Sequence, residues 1–445
     1  MHRSLDRIRD RWREVGDARV PLNVDVLLYC PGYQVRNVAA AGLDSSRIVD
    51  ARRAGQLANV IESLLGSGNG DNQTQFNKVE DFFSQAFDLV PDVSSCVSSQ
   101  KKVFTRLTEG LTRVVDGLDF TPFRLRVVAT AGAGKSQLAR HFLERATVRD
   151  QRALFVCFNR PLATRVRNTV TDKASVNNFH GFCHQFLDSI GEDIDFSQVS
   201  SDPDFWKSMP ERVMAAEIPD EQLYDCLIVD EGQDFQQEWC DILQLFLRPN
   251  ADILWLEDPE QNIYGRPLVE LESFVTYSDS RNYRTPTAIA DFIREYLGYE
   301  FDCVNPLPGM GVEEIEWTED EDDPVAILVS RIKALRRIGF ANEQIVILSC
   351  VGQGKSFLGD AAEIGGIKLK RATTAREGDG TQVYTQGDIL FETVFRFKGQ
   401  QAPAVILIDG NKPEHATDYM KRVMFCGMTR ATVRLDVLTV LRWLT

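Results

Sequence analysis

A doubly wound α/β fold with parallel sheets follows from three observations along the 445-residue chain. Short apolar runs at residues 125–128, 153–159 and 226–229 alternate with stretches of helical character, the pattern of strands crossed over by helices. A turn of small residues at 129–136 joins the first run to a helix. An acidic pair, Asp230 and Glu231, stands at the end of the third. In such sheets ligands gather at the carboxyl ends of the strands.

The turn reads Ala129-Thr130-Ala131-Gly132-Ala133-Gly134-Lys135-Ser136. Backbone N–H groups converge where a strand bends through small residues into a helix, Lys135 adds a positive charge, and Ser136 offers a hydroxyl ligand for Mg²⁺. This is the pattern of a nucleoside-triphosphate site. Ala129 replaces the first glycine of the strict pattern, while Gly132 and Gly134 remain where the backbone must approach phosphate oxygens.

Composition narrows what such a site serves. The length calls for two or three domains. A net charge of −15 excludes a generally basic surface, so any nucleic-acid contact is a local track of Arg and Lys. Nine cysteines, an odd number with no CxxC pair, point to a reducing compartment, and hence the cytoplasm, over a disulfide framework or structural zinc. No apolar run is long enough to span a membrane, and the charged start lacks the apolar core of a signal peptide.

Residues 1–95 read as a small α/β region of unknown role. Leu5, Ile8, Trp12 and Val15 share helical spacing, residues 24–30 read as a buried strand stopped by Pro31-Gly32, and residues 66–73 have the composition of a flexible loop. The strand and its helix weakly resemble the back half of a nuclease-related module, but Tyr33-Gln34-Val35-Arg36-Asn37 follows in place of its acidic-x-lysine pair. A docking or stabilising role is the expectation. Val93-Ser94-Ser95 reads as the approach to the next domain. Gln100 then opens a helix as an exposed residue whose amide can read the donor and acceptor edges of adenine.

His180, Cys183 and His184 share a helical face after the second strand, but lack the fourth ligand a zinc site needs. At the third strand, a buried carboxylate is costly unless it serves a cation, and a second beside it can orient or deprotonate water. Asp230 is therefore assigned to Mg²⁺ and Glu231 to the attacking water.

Asp230-Glu231-Gly232-Gln233-Asp234 resembles the second motif of the superfamily 1 helicases of the UvrD and Rep type, and the resemblance extends over about residues 100–440. Asp258-Pro259-Glu260-Gln261-Asn262-Ile263-Tyr264 looks like the third motif, implying that Gln261 reports on the γ-phosphate and Tyr264 touches a base. Arg281-Asn282-Tyr283-Arg284 looks like the fourth, implying Tyr283 stacked on adenine and Arg284 on the γ-phosphate. Phe397-Lys398-Gly399-Gln400-Gln401 resembles the fifth, and Gly427-Met428-Thr429-Arg430-Ala431 the sixth, with Arg430 as arginine finger. Gln401 is placed with the nucleotide, and Phe158, Asn178, Phe179, His180, Tyr264 and Arg266 with the nucleic acid. Three departures stand out: Arg266 where the family usually has tryptophan, Gln401 for glutamate, and Glu257 for glycine.

Arg284 and Arg430 lie far along the chain from Lys135 and reach a shared nucleotide only if a second α/β domain closes over it. The resemblance thus implies two RecA-like domains, residues 96–280 binding ATP and residues 281–445 carrying the finger. Residues 352–356, Gly-Gln-Gly-Lys-Ser, superficially repeat the phosphate loop. They have Ser349 at the first motif position and no acidic strand end downstream, and read as an ordinary loop. The acidic run at 313–323 reads as a solvated linker whose last aspartates cap a helix.

The intervals between Phe182 and Asp225 and between Arg284 and Lys398 leave little room for a duplex-gripping domain. The expectation is an ATP- and Mg²⁺-dependent motor on single-stranded DNA, moving 3′ to 5′ as the resemblance implies, with unwinding modest or partner-dependent. The alternative is an ATP-gated switch that controls a nuclease or other protein partner in DNA repair or antiphage defence.

Overall fold

The computed structural model describes residues 8–9, 12–13, 24–32, 34–35, 44–66, 76–80, 92–170, 174–192, 203–318, 320–376 and 382–441. The chain divides into two compact units, Met1–Val90 and Pro91–Thr445. In the first, β1 (Leu28–Cys30) pairs in parallel with β2 (Ile48–Asp50), followed by the helix Leu57–Leu65. The Asp50 carboxylate accepts from the N–H groups of Val35 and Arg52 at 3.2 and 3.0 Å, closing the turns around this pair. Leu5 and Val15 of the helical pattern, residues 67–73 of the loop, and Tyr33, Arg36 and Asn37 lie outside the described residues.

The second unit opens on the helix Val93–Asp116, capped by the Asp92 carboxylate, which accepts from the Ser94 N–H at 3.2 Å. Val93, Ser94 and Ser95, read as the approach to the next domain, are the first turn of this helix. Six parallel strands follow: β3 (Arg124–Ala129), β4 (Ala153–Cys157), β5 (Ala174–Asn178), β6 (Tyr224–Asp230), β7 (Leu247–Glu257) and β8 (Val275–Asp279), in the order β5-β4-β6-β7-β3-β8. Period-two alternation makes this a three-layer structure. Phe155, Cys226 and Ile228 pack with the helices Lys135–Val148 and Arg160–Arg167 on one face. Leu154, Val156, Leu227 and Val229 pack with Phe179–Ser189 and Gln237–Leu245 on the other.

Further along, β9 (Arg281–Asn282) and β10 (Asp302–Cys303) form a short parallel pair. Then come β11 (Val312–Trp317), β12 (Ile345–Ser349), β13 (Glu363–Ile364), β14 (Ile367–Lys370), an antiparallel pair β15 (Ala372–Arg376) and β16 (Gln382–Tyr384), and β17 (Ile389–Thr393), β18 (Ala402–Asn411) and β19 (Ala431–Val440). The second sheet runs β11-β19-β18-β12-β17-β14-β13, parallel except for β13 at its edge. Ile345 and Ile347 pack beneath the helix Pro324–Arg337, and Val346 and Leu348 beneath Thr287–Leu297 and Asp418–Met428. The expected α/β class with two parallel-sheet, RecA-like lobes is what the chain forms.

Two readings are corrected. Residues 312–317 of the acidic stretch are the edge strand β11: Glu313 pairs with Arg434 at 2.9 Å and Arg331 at 3.4 Å, Glu316 pairs with Lys412, and Trp317 is buried. Only the end behaves as expected, Asp323 accepting from the N–H groups of Val325 and Ala326 at the start of the next helix. The loop at 352–356 does have an acidic residue beside it. Asp409 on β18 accepts from Ser349 Oγ at 2.6 Å and from the Phe357 N–H at 3.2 Å, and the loop closes as a single 3₁₀ turn, Gln353–Lys355, with no helix to aim N–H groups at a phosphate.

Candidate nucleotide site and nucleic-acid cleft

The small-residue loop leaves the carboxyl end of β3 and enters the helix Lys135–Val148 through Gly132 and Gly134, at φ +74° and +95°. Both glycines are also sterically required. A Cβ on Gly132 would lie 2.7 Å from Asn282 Oδ1 and 2.8 Å from Arg284 Cβ; one on Gly134 would lie 2.7 Å from the Thr108 methyl. Ala131 and Ala133 of the loop are buried, and Lys135 donates to the carbonyls of Ala129 and Thr130 at 2.6 and 3.1 Å.

Across β7 from the loop's strand, β6 delivers Asp230, whose Oδ2 accepts from Ser136 Oγ at 3.1 Å. A hydroxyl and a carboxylate so placed at a phosphate loop fit the donor set of Mg²⁺, which keeps most of its ligands as water and phosphate oxygens. Among the described residues no cluster of three or more His, Cys, Asp or Glu has metal-binding geometry, so phosphate oxygens would complete any such site. Burial, reinforced by Glu231, pushes the Asp230 carboxyl above its ordinary range. A cation would reverse this.

Glu231 adopts a left-handed backbone, φ 57°, at the tight turn after β6. Gln233 Nε2 donates to its Oε2 at 2.6 Å, while Gln233 Oε1 accepts from the Asp258 N–H at 2.8 Å. The turn is thereby tied to the third motif. Burial opposes ionisation of Glu231, but Lys398, Lys135 and Arg430 outweigh it and hold the carboxyl below its ordinary range. Gly232 leaves room for Trp255, whose Nε1 would meet a Cβ at 2.2 Å. The same Nε1 donates to Glu257 at 2.9 Å, and Arg126 pairs with that carboxylate, so Glu257 is a satisfied buried partner inside the sheet.

The second lobe closes the site. Lys135 lies 3.5 Å from Asp258, Asp258 accepts from Gln261 Nε2 at 2.5 Å, and Gln261 Oε1 accepts from the Arg430 guanidinium. Arg430 is held from behind by the Cys426 carbonyl at 2.9 Å. Arg284 has buried Nε and Nη2 atoms with no hydrogen-bond partner among the described residues. Burial, then the charge of Arg430, pulls it down to about 9. Unpaired buried guanidinium nitrogens mark a place for an anion. Tyr283 is buried beside it and its N–H donates to the Gly132 carbonyl at 3.2 Å, docking the fourth motif on the loop.

Gln100, expected to be exposed, is 4% exposed. Gln401 is exposed just before β18, between Gln400, whose carbonyl accepts from Arg430 at 3.5 Å, and Ala402, whose N–H donates to the Arg430 carbonyl at 3.0 Å.

Lys398 and Asp234 lie within the fifth and second motifs, whose patterns assign neither a role. The Lys398 ammonium, 1% exposed, donates to both Asp234 oxygens at 2.7 Å and to the Gln261 carbonyl at 2.8 Å, and lies 3.7 Å from Glu231. Burial opposes its charge, but Asp234 and Glu231 outweigh that and raise its pKa. Asn159, at the end of β4, donates to the carbonyls of Phe395, Arg396 and Lys398 at 3.2 to 3.3 Å, a second tie between lobes. The available signal was a lysine and an aspartate inside two motifs already aligned.

A cleft of 210 Å³ opens between the lobes, lined by Phe158, Asn159, Arg160, Tyr264, Phe395 and Arg396 among others. Phe158 meets Tyr264 edge-on at 5.0 Å, and Tyr264 meets Phe395 at 6.0 Å. Arg266 lies over Phe158, Trp239 and Tyr264 at 4.6, 4.8 and 5.5 Å and donates to the Asp234 carbonyl. Trp239 was missed because it sits in an ordinary amphipathic helix, Gln237–Leu245. Phe179 is corrected: at 0% exposed and stacked on Trp239 at 4.6 Å it is core, out of reach of a base in this conformation. His180 packs edge-on against Trp239 at 5.0 Å, its pKa lowered to about 4 by burial and then by Arg266 and Arg160. Asn178, half-buried, ends β5 beside Gly181.

A strand–loop–helix phosphate cradle, a carboxylate pair at the end of β6, two strands away in the same sheet, and guanidinium groups brought from a second parallel-sheet lobe define a two-lobed P-loop nucleotide site. Residues 121–267 match the family model described as AAA domain, and residues 388–438 that described as UvrD-like helicase C-terminal domain. These matches give the chain an AAA-type domain followed by a UvrD-like helicase C-terminal domain. Among solved structures, an arterivirus nonstructural protein 10 (helicase) in complex with DNA is 11% identical with a TM-score of 0.34, covering 71% of this chain and 60% of that one. A crystal structure of arterivirus nonstructural protein 10 (helicase) is 13% identical with a TM-score of 0.30, covering 71% and 59%. The chain thus spans about three fifths of the length of these structures. No curated protein matches it. Among the described residues no helix is long and apolar enough to cross a membrane.

Proposed function

We propose that this chain hydrolyses ATP to move along single-stranded DNA, in the 3′ to 5′ direction that its UvrD-like motifs imply. The observation that carries the reading is the buried path Lys135–Asp258–Gln261–Arg430, which joins the phosphate loop of one lobe to the finger of the other, beside the unpaired guanidinium of Arg284.

In this reading the loop N–H groups and Lys135 bind the phosphates. Ser136 and Asp230 would hold Mg²⁺, which when bound neutralises phosphate charge and orients the terminal group. Glu231, kept ionised by the surrounding cations, orients a water and accepts its proton as the water oxygen bonds to the γ-phosphorus. The bond to the bridging oxygen breaks, leaving ADP and phosphate. Arg284 and Arg430 stabilise charge that builds on the transferring group. Loss of the γ-phosphate removes what the two arginines share with Lys135, and the lobes are freed to separate.

The cleft lined by Phe158, Tyr264 and Phe395, with Arg160 and Arg396 at its sides, suits a single strand held by stacking and local positive charge. Because it lies between the lobes, closure changes its width. ATPase assays with and without single-stranded DNA, and ATP-driven displacement of streptavidin from 3′- and 5′-biotinylated oligonucleotides, test the proposal. Displacement from the 5′ end only supports it, displacement from the 3′ end only contradicts the direction, and no ATP-dependent displacement from either end rejects translocation.

The position of Arg266, already lodged among the aromatics a base would use, favours a second reading, an ATP-gated switch acting on a nuclease or other protein partner. ATP turnover unchanged by DNA would support the switch.

A further inference from the structure

The nucleotide site contains a residue whose role no motif assigns. Asn305 follows β10 and is 1% exposed. Its Oδ1 accepts from the Leu307 N–H at 3.0 Å. A backbone N–H can only donate, so this bond fixes which end of the Asn305 amide is oxygen. Its Nδ2 must therefore point the other way, where it donates to the Arg284 carbonyl at 3.0 Å and to Gln100 Oε1 at 2.8 Å. An amide nitrogen cannot accept, so Gln100 is fixed in turn. Its oxygen faces Asn305, and its buried Nε2 has no partner among the described residues.

An unpartnered amide N–H nine-tenths buried is costly unless something binds there. Asn305 ties Gln100 to the carbonyl of Arg284, the residue after Tyr283, so the free N–H belongs to the nucleobase end of the proposed ATP site. The inference therefore rests on the ATP-hydrolysis reading.

We propose that Asn305 is a specificity-determining residue, which locks the Gln100 amide in the one orientation that reads a 6-aminopurine and refuses a 6-oxopurine. Asn305 uses one lone pair of Gln100 Oε1, leaving the second lone pair beside the free Nε2–H. That edge donates to a ring-nitrogen acceptor and accepts from an exocyclic amine, the adenine arrangement. Against guanine the ring nitrogen is still served, but the exocyclic carbonyl faces Oε1, oxygen to oxygen. A freely rotating glutamine would turn its N–H₂ toward that carbonyl and lose the distinction. The lock prevents this.

The test compares (kcat/KM) for ATP and GTP in the full chain, for wild type, Asn305→Ala and Gln100→Ala, with folding of each variant checked by its thermal transition. Wild type is expected to favour ATP by about tenfold or more, the scale of a lost bidentate contact, and both variants to bring the ratio within about threefold of unity. A general structural defect would slow both nucleotides alike and leave the ratio where it was, so the ratio isolates base reading. If Asn305→Ala fails to fold, Gln100→Ala together with wild-type turnover of 7-deaza-ATP, expected to fall toward that of GTP, decides the matter. Wild type hydrolysing both nucleotides equally, or folded Asn305→Ala keeping the full preference, overturns the role of Asn305 while leaving ATP hydrolysis standing. Absence of any triphosphate hydrolysis in wild type would instead remove the ATPase reading.

Discussion

Lys398 lies 2.7 Å from both carboxylate oxygens of Asp234, although 164 residues separate them, and the pair is closed off from solvent. Breaking one side of such a pair strands a buried charge, whereas replacing both removes two desolvation costs at once. Lys398→Met is expected to lower stability by ~3–5 kcal/mol, because Asp234 is left buried beside Glu231 without its ion-pair partner. Asp234→Asn combined with Lys398→Met should recover much of that. Urea unfolding of wild type and the two variants checks this; equal losses in the single and the double variant would show that the pair is not what joins these motifs.

Glu231→Gln should bind ATP and turn it over ~10²- to 10⁴-fold more slowly, the range for removal of a general base. Gln233 Nε2 would then face an amide that can still present an oxygen, so the turn after β6 should survive. Fluorescent-nucleotide binding and phosphate release, measured side by side, test it. Turnover within a few fold of wild type would take Glu231 out of the chemistry.

Gly132→Ala is expected to damage the closed site without touching a polar group. The new methyl needs a left-handed backbone and meets Asn282 and Arg284, and Asn282 is itself pinned, accepting from the Thr285 N–H at 2.8 Å. Together these should cost ~1–3 kcal/mol of stability and slow hydrolysis at least ~10-fold, as ATPase rates and thermal transitions would show. Wild-type rates would mean that the fourth motif does not stay docked on the loop during turnover.

Two aromatic residues placed together by sequence should separate cleanly. Tyr264→Ala should weaken single-stranded DNA binding by ~1–3 kcal/mol per stacked base with the fold intact. Phe179→Ala should cost ~3–5 kcal/mol of stability, since it empties a packed layer beside Trp239. Fluorescence anisotropy with a labelled oligonucleotide, read against thermal unfolding, distinguishes them. Normal DNA affinity in Tyr264→Ala would move the strand elsewhere.

Much of the fold was legible because parallel strands announce themselves: buried on both faces, residues 153–157 and 345–348 are unbroken apolar runs. The phosphate loop, Asp230, Glu231 and the arginines were legible because each is a local pattern. Relationships between patterns were not. Nothing near Lys398 says that its partner is Asp234, nothing near Asn305 names Gln100, and Trp239 looks like any core residue of an amphipathic helix. The acidic stretch misled for a related reason. Residues 312–317 carry three glutamates, which local propensity disfavours in a strand, and only Arg331, Lys412 and Arg434, far along the chain, make an edge strand of them.

The central claim is that one ATP is gripped by the first lobe and triggered by a guanidinium from the second. Nucleotide binding and single-turnover hydrolysis of ATP by Arg430→Ala, measured on one preparation, test it most directly. Binding should hold within about fivefold while hydrolysis falls by at least ~100-fold, as expected for loss of an arginine finger. Hydrolysis within about threefold of wild type at saturating ATP would contradict the account.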